Sequence, residues 1–404
     1  MLALDGGTWD LLDGYMQRGL LPNLAKLRKG GVWGPLKSIK PSSSPVIWTT
    51  VATGKTPEKH GITFFVRFPT GNTGQPVPVS RTLRRCKAIW NILGDRDKDV
   101  AIDGWLITWP AEEVYGRMIT DRAHYGNVEK ESFPPGYMTE LQPVPIEKVL
   151  KVMPSFMSED FDFGHMDRNS KDPEERLNFL VYDRFVRAYA RDEFYLEAAE
   201  RMLDDGPLPD ATFVYLRGTD DVQHGFWKFM EPDKFKGVTE EEARRFGKVI
   251  ERYWQWTDQA VGKILSHFDK DTLIVVLSDH GGGPAVGKYK IITKEYLQLS
   301  GSHRNTGILI INGPGVKVGK EIDFASVYDI TPTLLAYVGL PVAEDMDGRI
   351  LKEAFVPGIA NGSAGTIATY ETGKPKPIEA AQPDKPSAVD KKVLEGLRSL
   401  GYIN

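Results

Sequence analysis

LIVVLSDHGGG, residues 273–283, decides the reading of this chain. Leu273 to Leu277 form a short, continuous apolar run rich in β-branched residues, the pattern of a strand buried on both faces. The run stops abruptly at Asp279, His280 and three glycines. In open α/β sheets, ligand chemistry sits at the carboxyl ends of strands. A carboxylate and a neutral imidazole at such an end supply half of a ligand set for a divalent metal. The glycines let the backbone turn with no Cβ in the way.

Working outward, β and α signals alternate. Residues 1–5 read as a short strand and 7–30 as one helical stretch, with Leu11, Leu12, Met16, Leu20, Leu24 and Leu27 in period. VWGPLKSIKP reads as a strand closing at Pro41, and 45–53 as a helix with Pro45 in its first turn. Segments 86–94 (helix), 99–104 (strand), 174–204 (helix), 213–218 (strand), 240–267 (one long helix), 308–313 (strand) and 326–338 (helix) continue the alternation. The expectation is an α/β fold with a mainly parallel central sheet and helices on both faces. Between about 122 and 172 prolines interrupt the pattern, which reads as an inserted cap over the sheet edge. The main domain is expected over 1–355. Residues 356–404 read as an extended tail and a last helix (388–400) docking by Val393, Leu394, Leu397 and Leu400.

With 51 basic and 55 acidic residues in 404, the net charge of −4 gives no ground for nucleic acid as the main partner. No apolar run reaches the ~20 residues of a membrane span. The single cysteine, Cys86, excludes an internal disulfide and a Cys-rich metal site. Arg85 and Lys87 flank it, a setting that can lower a thiol pKa, but a half-buried helix cysteine is the preferred reading. The start is abrupt, reaching a strand-end aspartate at position 5. A trimmed N-terminus is therefore expected, and export to the periplasm or outside is expected ahead of a cytoplasmic location.

The rest of a ligand set lies at other element ends. Asp5 closes the first strand; Asp220 and His224 stand one helical turn apart in TDDVQHGFW; His303 precedes the ILIING strand. With Asp279 and His280 this makes three aspartates and three histidines, an inventory for two nitrogen/oxygen sites. Zn²⁺ suits it best, with Mn²⁺ possible. In KPSSSPVIWTTVATGKTPEKHGI, Ser44 precedes Pro45 and an apolar helix and reads as its N-cap, where helix N–H groups gather and an anion binds well. A metal on that hydroxyl would make it a nucleophile. Ser42 and Ser43 are near alternatives.

With these residues the chain resembles the alkaline phosphatase superfamily, most of all its type I phosphodiesterase/nucleotide pyrophosphatase branch, which includes bacterial proteins described as predicted phosphohydrolases or phosphomutases. The shared pattern runs through Asp5-Gly6, Ser44, Thr53-Gly54 to Pro57 and His60-Gly61-Ile62, Asp220 and His224, Asp279-His280-Gly281, and His303 to Gly307, with YDITPTLL (328–335) and DMDGR (345–349) behind. The resemblance implies an alkaline-phosphatase-like three-layer sandwich. It implies two metal ions, one on Asp220, His224 and His303, the other on Asp5, Asp279, His280 and the Ser44 oxygen, and a phosphoseryl intermediate. His60 reads as structural. The chain also departs from the pattern. Phe65 stands where nucleotide pyrophosphatases carry an Asn that touches phosphate, so Arg304 or Arg67 is expected to supply that contact. Pro45-Val46 replaces the Asp-Arg pair of alkaline phosphatases proper, and Ser43 to Ile47 lacks the arginine of a sulfatase string. Phe64, Phe65, Trp105, Trp109 and Trp227 are candidates for an aromatic substrate wall. The expected activity is hydrolysis of a phosphoester substrate, a diester ahead of a monoester or a mutase reaction. A sulfatase and a non-catalytic metal-binding module rank lower.

Overall fold

The computed structural model describes residues 1–68, 75–158, 161, 164–167, 169–285, 300–371, 386–399 and 403. Its strands, in chain order, are β1 (Leu2–Leu4), β2 (Val32–Lys37), β3 (Val66–Arg67), β4 (Val77–Pro78), β5 (Val100–Asp103), β6 (Gly116–Ile119), β7 (Ser132–Phe133), β8 (Ala211–Leu216), β9 (Ile274–Leu277), β10 (Gly281–Pro284), β11 (Gly301–Arg304), β12 (Thr306–Asn312), β13 (Lys320–Glu321) and β14 (Ala325–Ser326). The central sheet has the order β13-β2-β12-β9-β1-β8-β5-β6-β7, with β14 also on β2. β9, β1, β8, β5 and β6 run parallel. β12 is antiparallel to both its neighbours, and β7 closes the far edge antiparallel to β6.

A sheet buried on both faces sends alternate residues into two cores, and this one does. Leu2, Leu4, Val214, Leu216, Val276, Ile308 and Ile310 face one core; Ala3, Phe213, Tyr215, Val275, Leu277, Leu309 and Ile311 face the other. The helices are α1 (Trp9–Gln17), α2 (Pro22–Gly30), α3 (Ser44–Thr53), α4 (Pro57–His60), α5 (Ile89–Gly94), α6 (Ile146–Phe156), α7 (Pro173–Asp204), α8 (Gly218–Met230), α9 (Glu240–Phe246), α10 (Val249–Leu265), α11 (Ile330–Tyr337) and α12 (Ala388–Ser399). α1, α2, α6, α7, α8 and α10 cover the first face; α3, α5 and α11 cover the second. The result is the expected three-layer α/β sandwich. Each fully buried aliphatic side chain of these two cores contributes about 1.5–3 kcal/mol.

Several element bounds differ from the sequence reading. The 7–30 stretch is two helices, because Gly19 turns the chain at φ 73° and Pro22 starts α2. The 240–267 stretch is also two. α9 ends at Phe246, and Gly247 packs so tightly that a Cβ there would lie 2.5 Å from the Ala243 carbonyl oxygen and 2.9 Å from that of Phe229. Cys86 precedes α5 and is buried, and burial pushes its thiol up to about 11. In the 122–172 region, β7 extends the sheet and α6 packs on α7. α12 docks by Leu394 and Leu397 against Phe65 and Val66. It is pinned by a buried Arg122–Asp390 ion pair at 2.6 Å. Leu400 and the tail segment 372–385 lie outside the described residues.

Candidate active site

The carboxyl ends of β1, β8 and β9 converge, and the chain places its acids there. Asp5 follows β1, and its N–H donates to Leu216 O at the end of β8 (3.0 Å). Asp220 lies in the first turn of α8, directly after β8, and His224 one turn further on. Asp279 and His280 follow β9. The chain then returns through the β10–β11 hairpin, which sets His303 opposite Gly282. Small residues make this approach possible. A Cβ on Gly301 would lie 2.3 Å from the Gln223 carbonyl oxygen, and one on Gly218 would lie 1.9 Å from the Tyr253 hydroxyl.

All six side chains meet. Ligand atoms of Asp220, His224 and His303 lie within 4.8 Å of one another, and so do those of Asp5, Asp220 and His280. Asp220 thus stands between two groups. His280 Nε2 lies 3.4 Å from Asp5 Oδ1 and 3.4 Å from Asp279 Oδ2. His224 Nε2 lies 3.3 Å from Asp220 Oδ2. The rings of His280 and His303 stack at 3.6 Å. Asp5 Oδ1 and Asp279 Oδ2 are buried without a hydrogen-bond partner, and buried acceptors left so are costly.

The histidine tautomers follow from the network. Nδ1 of His224, His280 and His303 faces the carbonyl oxygens of Gly301 (3.1 Å), Gly281 (3.1 Å) and Ser42 (3.2 Å). Each Nδ1 therefore carries the proton, and each Nε2 turns a lone pair inward. His224 Nε2 and His303 Nε2 stand 2.9 Å apart. Two lone pairs at that distance repel unless an electrophile lies between them. Inward imidazole nitrogens, orphaned carboxylate oxygens and an acid shared by both groups fit bound divalent cations.

The electrostatics agree. Burial, with the charges of Asp279 and Asp220, holds Asp5 well above the usual carboxylate range. Burial lifts Asp279 to about 7. Asp220 is buried too, which would raise it, but His224 and His303 hold it well below its ordinary value. Burial would lower His224, but Asp220 outweighs that and raises it. Burial and the charge of His280 push His303 well down.

Ser44 is only 1% exposed, and its Oγ lies 3.5 Å from His280 Nε2. The expectation that Ser44 is the N-cap is corrected. Ser43 holds the cap position with extended backbone, and Ser44 is the first helical residue, with Pro45 behind it. The side chains that hold Asp5 were not found by sequence reading. Trp48, one turn after Ser44, donates Nε1–H to Asp5 Oδ2 at 3.3 Å; the Tyr215 hydroxyl donates to the same oxygen; Thr219 donates to the Asp5 carbonyl. The inward-facing position of Tyr215 on β8 was its one available signal.

The substrate-contact candidates fare differently. Trp105 is a core residue, 1% exposed and edge-on to Trp48 and Trp90. Its indole fills space behind α3 instead of forming a substrate wall. Arg304 directs its guanidinium to the main chain of its own hairpin, donating to Pro284 O at 2.7 Å and His303 O at 3.4 Å. Arg67 sits on β3 opposite Val77. Phe65 is buried under α12 and lines a cavity beside Ser44.

Comparison with known proteins follows the same lines. A family model described as type I phosphodiesterase/nucleotide pyrophosphatase matches residues 1–347. The chain belongs to this family. The description of that family names phosphoric ester hydrolases. Among curated proteins none matches it significantly in sequence. Among solved structures, human ectonucleotide pyrophosphatase/phosphodiesterase 5 superposes with a TM-score of 0.50 at 12% identity, over 88% of this chain and 98% of that one. A 2-O GAG sulfatase gives a TM-score of 0.50 at 14% identity, over 87% and 72%. Phosphonoacetate hydrolase from Sinorhizobium meliloti gives 0.42 at 20% identity, over 70% of this chain. The chain spans 56% of that hydrolase's length. At these identities the two superpositions at 0.50 show the fold. No helix among the described residues is long and apolar enough to cross a membrane.

Proposed function

We propose that this protein cleaves phosphodiesters through a phosphoseryl intermediate on Ser44, in a site that binds two divalent cations. Zinc is the metal the donor set suits best, with manganese the alternative. The observation that carries the reading is the convergence of six metal-type ligands, five buried and His303 half-buried, around a serine hydroxyl at the first turn of a helix. Asp220, His224 and His303 would hold one ion, and Asp5, Asp279, His280 and the Ser44 oxygen the other, with Asp220 facing both. When bound, such ions lower the pKa of a hydroxyl and neutralise charge that builds on phosphoryl oxygens.

The chain's own residues supply the rest. The first turn of α3 presents the Ser44 oxygen. It attacks phosphorus, the Oγ–P bond forms, and the opposite P–O ester bond breaks, with the leaving alcohol taking a proton. Water then splits the phosphoseryl ester and restores the hydroxyl. Trp48, Tyr215 and Thr219 hold Asp5 in place throughout. A diester is favoured over a monoester because Arg304, the arginine next to His303, is committed to main-chain carbonyls and does not offer a fork for a dianionic phosphate.

The test pairs metal content with two rates on the full-length protein. Near two equivalents of zinc, with bis-p-nitrophenyl phosphate turned over faster than p-nitrophenyl phosphate, is the expected result. Faster monoester cleavage would replace this reading with a phosphatase or mutase. Retention of no metal would overturn the two-ion site.

A further inference from the structure

A crevice beside Ser44 takes no part in this chemistry. Pro45, next to the nucleophile, and Tyr215, the partner of Asp5, form its inner wall. It runs beneath α12, where Val393 and Leu397 form the roof. A second cavity shares His124, Tyr125, Arg191 and Arg217 with it and lies under the same helix. The two make one path leading away from the nucleophile.

The charge along this path is lopsided. Arg191 and Arg217 line both halves, Arg122 the inner half, and Arg184 and Arg187 the outer. The acids in the lining are Asp121 and Asp221. Asp121 spends its carboxylate on the main-chain N–H groups of Ile107, Thr108 and Trp109. Arg122 is matched by Asp390, and Arg187 by Asp183. Arg191 and Arg217 share Asp221, at 2.5 and 3.4 Å, and Arg191 Nε also lies 3.6 Å from Asp192 Oδ1. Asp192 lies fully buried behind them, accepting from the N–H groups of Arg217 and Gly218 and from the Tyr253 hydroxyl. Two guanidinium groups held side by side by the shared Asp221, with Asp192 backing Arg191, form a pre-organised donor pair for an oxyanion. Burial and these same arginines keep His124 neutral, its pKa well below normal. Phe65, Tyr125 and Tyr195 supply apolar flanks.

We propose that this crevice is a specificity subsite that binds an anionic group, a phosphate or carboxylate, at the end of one ester arm of the substrate. Arg191 and Arg217 hold the oxyanion, the aromatic flanks hold the arm, and α12 closes the subsite from above. The proposal rests on the phosphodiesterase reading only in placing the scissile phosphorus at Ser44.

Two measurements on the full-length protein test it. In the first, p-nitrophenyl diesters carry a propyl, 2-carboxyethyl or 2-phosphonoethyl second arm. Charge-assisted hydrogen bonds predict kcat/KM about tenfold to a hundredfold higher for a charged arm than for propyl. Carboxylate and phosphonate arms show which oxyanion is preferred. In the second, calorimetry compares benzenesulfonate, a poor metal ligand, with neutral methyl phenyl sulfone. The sulfonate is expected to bind about tenfold tighter, and Arg191→Gln or Arg217→Gln to abolish the difference. Because those changes disturb a buried ion-pair network, Val393→Glu and Val393→Gln provide a second pair. Val393 is a half-buried lining residue of α12. The glutamate should weaken sulfonate binding about tenfold relative to the glutamine. Equal binding of sulfonate and sulfone, or equal binding by the two Val393 variants, would overturn the subsite even if diesters are cleaved. Arginine-dependent sulfonate binding without diester turnover would support the subsite and overturn the phosphodiesterase reading.

Discussion

Ser44 and His60 are both buried polar residues beside α3, and their surroundings set them to opposite tasks. Ser44 Oγ faces the inward nitrogen of His280. Ser44→Ala should lower turnover of bis-p-nitrophenyl phosphate at least ~10³-fold while leaving the thermal midpoint and metal content nearly unchanged. A variant that keeps most of its rate would remove the serine from the mechanism. His60 is turned away from chemistry. Its Nδ1 accepts from Ile62 N–H at 3.2 Å and its Nε2 lies 3.0 Å from Thr50 Oγ1, which fixes a neutral ring that pins the left-handed turn at Gly61 to α3. Burial lowers its pKa from 6.5 to about 4. The folded state thus disfavours the proton, so the stabilisation is complete above pH 6.5 and is lost as pH falls toward 4. The loss should come to roughly 3 kcal/mol. Denaturant titrations of wild type and His60→Asn across that window should show the slope in the wild type and its removal in the variant. Parallel slopes would mean that His60 does not govern acid sensitivity there.

At the scale of elements, α12 is held by a small number of strong contacts. Arg122 and Asp390 form an ion pair with both side chains no more than 5% exposed. Asp390 also closes a reciprocal cap, accepting from Ser387 N–H while its own N–H donates to Ser387 Oγ. Breaking a buried pair from one side leaves an uncompensated charge and costs about 3–5 kcal/mol. Asp390→Ala should therefore release α12, seen as lost amide-exchange protection over 388–399 with β1, β8 and β9 still protected. Unchanged protection would assign the docking to Leu394 and Leu397 alone. The docking stripe itself was legible in the sequence, as were β9 with its Asp-His-Gly end and the one-turn spacing of Asp220 and His224, because each depends on local period and local turn chemistry. The breaks at Gly19 and Gly247 were not, since the apolar period continues across both; the first is a left-handed turn at Gly19 and the second a close approach of Gly247 to the Phe229 carbonyl. Ser44 was placed one position off its role because Ser42, Ser43 and Ser44 are equivalent caps by composition. The tertiary path of the chain decides which one faces His280. Trp105 looked like a ligand wall for a similar reason: sequence gives an aromatic but not the face of the sheet it fills.

For the whole molecule, the central design is a sheet whose parallel strands deliver acids from distant parts of the chain to one end. The order of ligands could be read from the sequence; their convergence, and the place of Asp220 between two groups, needed the fold. That convergence has a thermodynamic consequence. Burial raises Asp5 well above the usual carboxylate range and Asp279 to about 7, and His224 is raised by Asp220. A group whose folded pKa lies above its unfolded value stabilises the fold at low pH and loses that contribution as pH rises through the folded value. His303 is shifted the other way, but its effect falls below its unfolded value of 6.5, and that of Asp220 below 3.8. Between pH 6.5 and about pH 7, then, the acid pair should withdraw stability from the metal-free protein as Asp279 is forced to ionise beside Asp5. Divalent cations require those same carboxylates ionised and the imidazoles neutral, so binding strengthens over the same interval. Thermal unfolding with chelator should show a midpoint that, measured against Asp279→Asn so that the buried Met1 amine lowered to about 5 cancels, falls from pH 6.5 to about pH 7, while with zinc the wild-type midpoint should hold or rise. At 100 to 1,000 times the dissociation constant, metal would stabilise the fold by about 3–4 kcal/mol per site. A chelated protein indifferent to this pH change would mean that the buried acids carry no unmet charge, and the six residues would then be a hydrogen-bonded cluster and not a metal centre.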